Sequence, residues 1–219
     1  MAPPRRPPPA KDRAYAYVKE RVLTGAYPGG ELLSEGEVAE ALGVSRTPVR
    51  EAFLLLEAEG LMRLYPKRGA LVVPVSAREI EDVMETRLLV ERHAAASIAE
   101  RRPPETIERL DAILAGQREA LDAGDQPAFV ELDRDFHQTI VDGVGNAILA
   151  RLYDALRDRQ RRMAATAIAR DPAIAEHYLA EHRAIADALG RGDGDGAQEL
   201  LQRHLAGARG FLQGGELPD

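Results

Sequence analysis

Hydrophobic periodicity changes character at about residue 75 of this 219-residue chain. From Ser76 onward, apolar residues recur at helical spacing in six segments, about 76–101, 104–123, 126–142, 146–169, 172–190 and 194–213. The breaks between them are short: Pro103-Pro104, Gly124, Gly143-Val144-Gly145, Asp171-Pro172 and the Gly-Asp run at 190–196. Long amphipathic helices with short connections make an antiparallel bundle. The Gly-Asp run lacks the spaced oxygen ligands and closing Glu of a calcium loop, so it reads as a turn.

Before residue 75 the pieces are shorter. A first helix is expected over 12–25, ended by Tyr27-Pro28-Gly29-Gly30. Ser34 and Glu37 have the spacing of a capping box, and a short helix follows until Gly43. Ser45 opens another helix, with Pro48 in its first turn, that runs to about Ala58. Residues 61–75 alternate as a hairpin around Pro66-Lys67-Arg68-Gly69. The fold class is therefore mostly α: two short helices and a wing in front, an all-helical bundle behind. The expected division is a tail at 1–11, a first domain at 12–75, a helical domain at 76–213 and a tail at 214–219.

Composition narrows the chemistry. With no cysteine, disulfides, thiolate catalysis and cysteine metal sites are excluded. No apolar run reaches the roughly 20 residues of a membrane span. The opening MAPPRRPPPA is too proline-rich and polar for a secretory signal, so a cytoplasmic protein is expected. The net charge of −7 is uneven. Residues 1–75 hold 11 basic and 9 acidic side chains, and the remainder 18 and 27. The front can meet an anionic polymer, and the acidic bundle is unsuited to lie along one.

The string Leu42-Gly43-Val44-Ser45-Arg46-Thr47-Pro48-Val49-Arg50 has the order of a helix-turn-helix. Its second helix would enter the DNA major groove by its N-terminal residues. Arg46 and Arg50, four apart, share a face and suit guanine edges. Ser45 and Thr47 at the helix start suit phosphate. Lys67, Arg68 and Gly69 at the hairpin tip suit the neighbouring backbone or minor groove.

Five histidines lie in the second half. Asp133 and His137 are four apart on one helix face. His182 shares a stripe with Ile185 and Leu189, and His204 with Leu200 and Leu201. Two readings fit this spacing: ordinary hydrogen-bonded or surface histidines, or a divalent ion held by Asp133, His137, His182 and His204. Zinc, nickel, copper or iron suit imidazole, and a mixed set also admits manganese. Arg87 either turns inward or pairs with Glu85 or Glu91 at helical spacing. His93 and His177 carry no motif.

The front string resembles the GntR family of bacterial regulators: Leu33-Ser34-Glu35, Val38-Ala39, Leu42 to Ala52, Leu56-Glu57, Glu59-Gly60-Leu61 and Arg68-Gly69. The resemblance implies a winged helix-turn-helix with Arg46, Thr47 and Arg50 on operator DNA. Gly36 departs from it, since relatives often carry Arg there. The second half resembles the FCD ligand-binding domain of the FadR-like subfamily. The matching residues are Glu85-x-Arg87 with Glu91, Asp133-x-x-Phe136-His137, Asn146, His182-x-x-Ile185 with Ala188, Asp193 or Asp195 with Ala197, and His204-Leu205. Six helices would place it in the shorter subgroup. This resemblance implies metal ligation by Asp133, His137, His182 and His204, and a small organic acid effector reached by Arg87. It also implies a homodimeric regulator, a repressor, on double-stranded operator DNA. Two rivals remain at this point: a regulator for which the metal is the signal, and a helical-bundle metalloenzyme.

Overall fold

The computed structural model describes residues 8–216. The expected leading tail lies mostly outside the described residues, and so does the end of the trailing one. The described chain divides between Pro74 and Val75 into two compact units.

The first unit contains α1 (Ala10–Leu23), β1 (Leu32–Leu33), α2 (Glu35–Leu42), α3 (Arg46–Ala58), β2 (Met62–Tyr65) and β3 (Gly69–Val72). Helix α1 starts two residues earlier than expected. It ends at Leu23 with Thr24 as its cap and Gly25 at φ 78°, before the Tyr27-Pro28 turn. Ser34 and Glu37 form the reciprocal capping box of α2. Gly43, in the left-handed region, ends that helix. The hairpin β2–β3 is antiparallel, and β1 adds a third strand on the far side of β3, pairing Leu33 with Ala70. Two residues are too short to leave a period-2 signal, so β1 was not expected. The core packs Val18 and Val22 of α1, Val38 of α2, Val49, Phe53 and Leu56 of α3, and Met62 and Val72 of the sheet.

The second unit is all helix: α4 (Ala77–Arg101), α5 (Pro104–Ala123), α6 (Gln126–Asp142), α7 (Ala147–Asp154), α8 (Arg157–Arg170), α9 (Ala173–Arg191) and α10 (Gly194–Leu212). Among the described residues seven helices replace the expected six, which corrects the placement in the shorter subgroup. The segment read as one helix over 146–169 bends at Ala155–Leu156. No Gly or Pro marks the bend, and both residues keep right-handed helical dihedrals. There the Leu156 N–H donates to the Tyr153 carbonyl, three residues back, and the helical ladder tightens.

The other boundaries follow local chemistry. Pro104 opens α5 and Gly124 closes it in the left-handed region. Asn146 caps α7, accepting from the N–H groups of Ile148 and Leu149. In the Gly-Asp run, Gly192 closes α9 and Asp193 caps α10 by accepting from Gly196 N–H. Helix α6 packs against α4, α5, α7 and α8, so its side chains are buried on most faces. The core of this unit includes Ile98, Leu110, Leu114, Phe129, Phe136, Ile140, Ile185 and Leu201. No helix among the described residues is long and apolar enough to cross a membrane.

Candidate functional site

On the first unit, Ser45, Arg46, Thr47 and Arg50 are all exposed along the first turns of α3. Ser45 occupies the cap position, and its hydroxyl makes no capping bond. Lys67 and Arg68 are exposed at the tip of the β2–β3 turn. Gly69 follows at φ 114°, where a Cβ would lie 2.2 Å from the Leu33 carbonyl oxygen. Only glycine lets β1 and β3 approach this closely. Helices α2 and α3 and the wing enclose a groove of about 640 Å³ that these basic side chains line. The Arg46 guanidinium lies over Gly36, 3.4 Å from where a Cβ would stand, and so covers the place of the missing side chain. Glu35 stands 4.0 Å from Arg50.

On the second unit, His137, His182 and His204 converge. Their ligating atoms lie within 4.8 Å of one another, and all three rings are buried. Asp133, one turn before His137, puts Oδ1 at 3.7 Å from His182 Nε2. Of the four residues read from the resemblance, the three histidines are thus brought together, and Asp133 stands beside His182 without joining the group in which every ligating atom lies within 4.8 Å of the others. His93 lies exposed on α4, and His177 pairs with Glu181 outside the cluster.

Each ring is oriented from behind. His137 Nδ1 donates to Glu91 Oε2 at 2.8 Å, His182 Nδ1 to Gln117 Oε1 at 3.1 Å, and His204 Nδ1 to Glu181 Oε2 at 2.7 Å. These acceptors fix the tautomer, with the proton on Nδ1 and a lone pair on Nε2. Burial lowers the pKa of His137 and drives that of His182 well down, so both rings are neutral near pH 7. The Nε2 atoms of His137 and His182 are buried with no hydrogen-bond partner. Two orphaned imidazole acceptors with a third ring and a nearby carboxylate have the chemistry that suits a divalent cation.

Glu91 is fully buried. Burial alone would raise its pKa, but Arg87, His137 and Tyr153 hold it well below the usual carboxylate range. Arg87 Nε donates to Glu91 Oε1 at 2.7 Å, and the Tyr153 hydroxyl donates to the same oxygen. Arg87 is therefore both alternatives at once: ion-paired at Nε and turned inward, with Nη2 buried and unpartnered. Arg87, Asp133 and His204 share a small cavity, about 20 Å³, with Met84, Gln160 and Tyr178. Sequence reasoning did not find Gln117, Tyr153, Gln160 or Glu181. Only their inward helical positions could have pointed to them.

A winged helix-turn-helix joined to a separate all-helical unit with a buried polar centre defines a DNA-binding transcriptional regulator. The chain belongs to the GntR family of bacterial regulatory proteins: that family's pattern matches residues 10–72, and the FCD domain matches residues 82–207. It is 33% identical, over 87% of its length and 80% of the relative's, to a helix-turn-helix regulator in an unstable DNA locus of Streptomyces ambofaciens. It is 29% identical to the galactonate operon transcriptional repressor of Escherichia coli, covering 89% of this chain and 93% of that one. A crystal structure of a GntR regulator from Rhodococcus sp. RHA1 superposes with a TM-score of 0.75 at 25% identity, covering 94% and 98% of the two chains. These relatives are regulators, not enzymes.

Proposed function

We propose that this regulator is a repressor whose hold on operator DNA is set by a metal-dependent signal in its helical unit. The observation that carries this reading is the convergence of the three imidazoles, each anchored through Nδ1, with the Asp133 carboxylate beside His182. Asp133, His137, His182 and His204 would hold a divalent ion, zinc, nickel, manganese or iron. A six-coordinate ion with four protein donors keeps open positions for a carboxylate oxygen of a small organic acid. Arg87 Nη2, a donor with no partner beside the same cavity, takes a second oxygen of that acid. Arg46, Thr47, Arg50, Lys67 and Arg68 contact the operator in the cytoplasm.

The reading includes a homodimer formed through the helical units. Leu89 on α4 and Ile148 and Leu152 on α7 are each about two-thirds exposed, on helices that pack together. Large apolar side chains shown to water in this way suit a second copy.

Elemental analysis of the purified full chain, before and after dialysis against a chelator, tests the metal. About one equivalent per protomer is expected, and its loss in His182→Ala. Full metal retention in that variant removes His182 from the site, and no metal in the wild type sinks the reading. The small volume of the cavity favours a second reading, in which the ion itself is the signal. Under it, chelation alone shifts operator affinity in a gel-shift titration and organic acids add nothing.

A further inference from the structure

Among the described residues, Gln160 is the one neutral side chain near the centre whose hydrogen-bonding groups are all without a partner. It sits on α8, 3% exposed, and both its Oε1 and Nε2 are buried without a partner. Buried amides are almost always satisfied, because an unmade hydrogen bond costs the full desolvation of the group. A methionine or leucine would fill this position at lower cost. The amide faces the same cavity as Arg87 Nη2, Asp133 and His204.

We propose that Gln160 is the specificity residue for the effector, and that the effector is a short-chain hydroxycarboxylate. This rests on the organic-acid reading above and adds the group that is read. Arg87 has donors only and takes the carboxylate. Gln160 offers one acceptor and one donor, and a hydroxyl both donates and accepts. A plain carboxylic acid leaves the Gln160 carbonyl without a donor. A second carboxylate also fails to donate to it, and an ammonium group cannot accept from Nε2.

Room comes from one wall. Met84 lines the inner cavity and also a groove of about 140 Å³ between α4 and α10, with Leu88, Leu205 and Arg209. Methionine is unbranched and has three rotatable bonds, so it can swing toward the groove without moving a helix. Arg209 is exposed at that groove and makes no ion pair among the described residues, which gives an incoming carboxylate a first contact.

Calorimetric titration of zinc-loaded full-length protein with lactate and with propionate tests this. The two acids differ by the hydroxyl alone. Wild type is expected to bind lactate at least about tenfold more tightly than propionate, the size of one well-made buried hydrogen bond. In Gln160→Met the ratio falls to about one. The unliganded variant melts no earlier than wild type, because an apolar side chain of similar shape replaces an unsatisfied amide. Equal binding of the two acids by wild type, or survival of the ratio in the variant, overturns the role of Gln160 and leaves the organic-acid reading intact. Equal binding by wild type overturns the proposal even if the variant fails to fold, and a preference for lactate that survives in the variant belongs to chelation of the zinc by the hydroxyl. No binding of either acid by wild type overturns both.

Discussion

Glu91, Gln117 and Glu181 each hold an imidazole by its outer nitrogen. The cost of this arrangement is burial of rings that must stay uncharged. His137 and His182 have pKa values below 6.5 because burial disfavours their charged forms. The unfolded chain therefore binds protons at these rings more readily than the folded one. Their contribution to stability is complete above about pH 6.5 and is lost as pH falls from there toward the folded pKa values. The urea midpoint of chelator-treated protein is expected to drop between pH 7 and 5, and a flat midpoint over that range contradicts the assignment. Glu91 and Glu181 titrate lower than usual, so their losses come later, below the ordinary carboxylate range. At this scale the sequence was partly legible. Asp133 and His137 share a face by spacing, and a stripe turned His182 and His204 inward. The outer partners were not legible, because helical periodicity says that Gln117 or Glu181 points in but not which ring it meets across the bundle.

Among the elements, the wing depends on one position. Gly69 combines φ 114° with a backbone contact that no Cβ can share. Gly69→Ala is expected to destabilise the first unit by about 1–3 kcal/mol and to separate β1 from β3. Denaturant unfolding of the variant measures this; a change below a few tenths of a kcal/mol would show that the strand pair yields easily. The glycine was legible as a turn residue, but the two-residue strand it admits was not. The bend between α7 and α8 was illegible for a different reason. Ala155 and Leu156 remain helical in dihedral, so the apolar rhythm runs through a break that no residue type announces. Tyr153, just before the bend, is fully buried against Glu91, so tertiary contacts hold the chain there. The capping box at Ser34 and the stop at Gly43 were readable because their chemistry is complete within a few residues.

For the whole molecule, assembly and charge work together. The reading as a dimer places Leu89, Ile148 and Leu152 between copies. Leu152→Glu is expected to shift sedimentation of the full chain from dimer to monomer, since it sets a charge in an apolar contact. Unchanged sedimentation would move the interface elsewhere. The same variant should weaken operator binding more than any single wing substitution, because it uncouples two half-sites. The uneven charge, 11 basic to 9 acidic in front and 18 to 27 behind, suits the first unit and not the second to an anionic polymer.

Met84 forms a wall common to the buried centre and the outer groove. Under the organic-acid reading, a messenger that passes this side chain needs no parting of helices. Its arrival and departure are then governed by a rotamer hop and by the grip of the centre, not by unfolding of the bundle. Such a receiver tracks the concentration outside it from moment to moment and stores no history of its own.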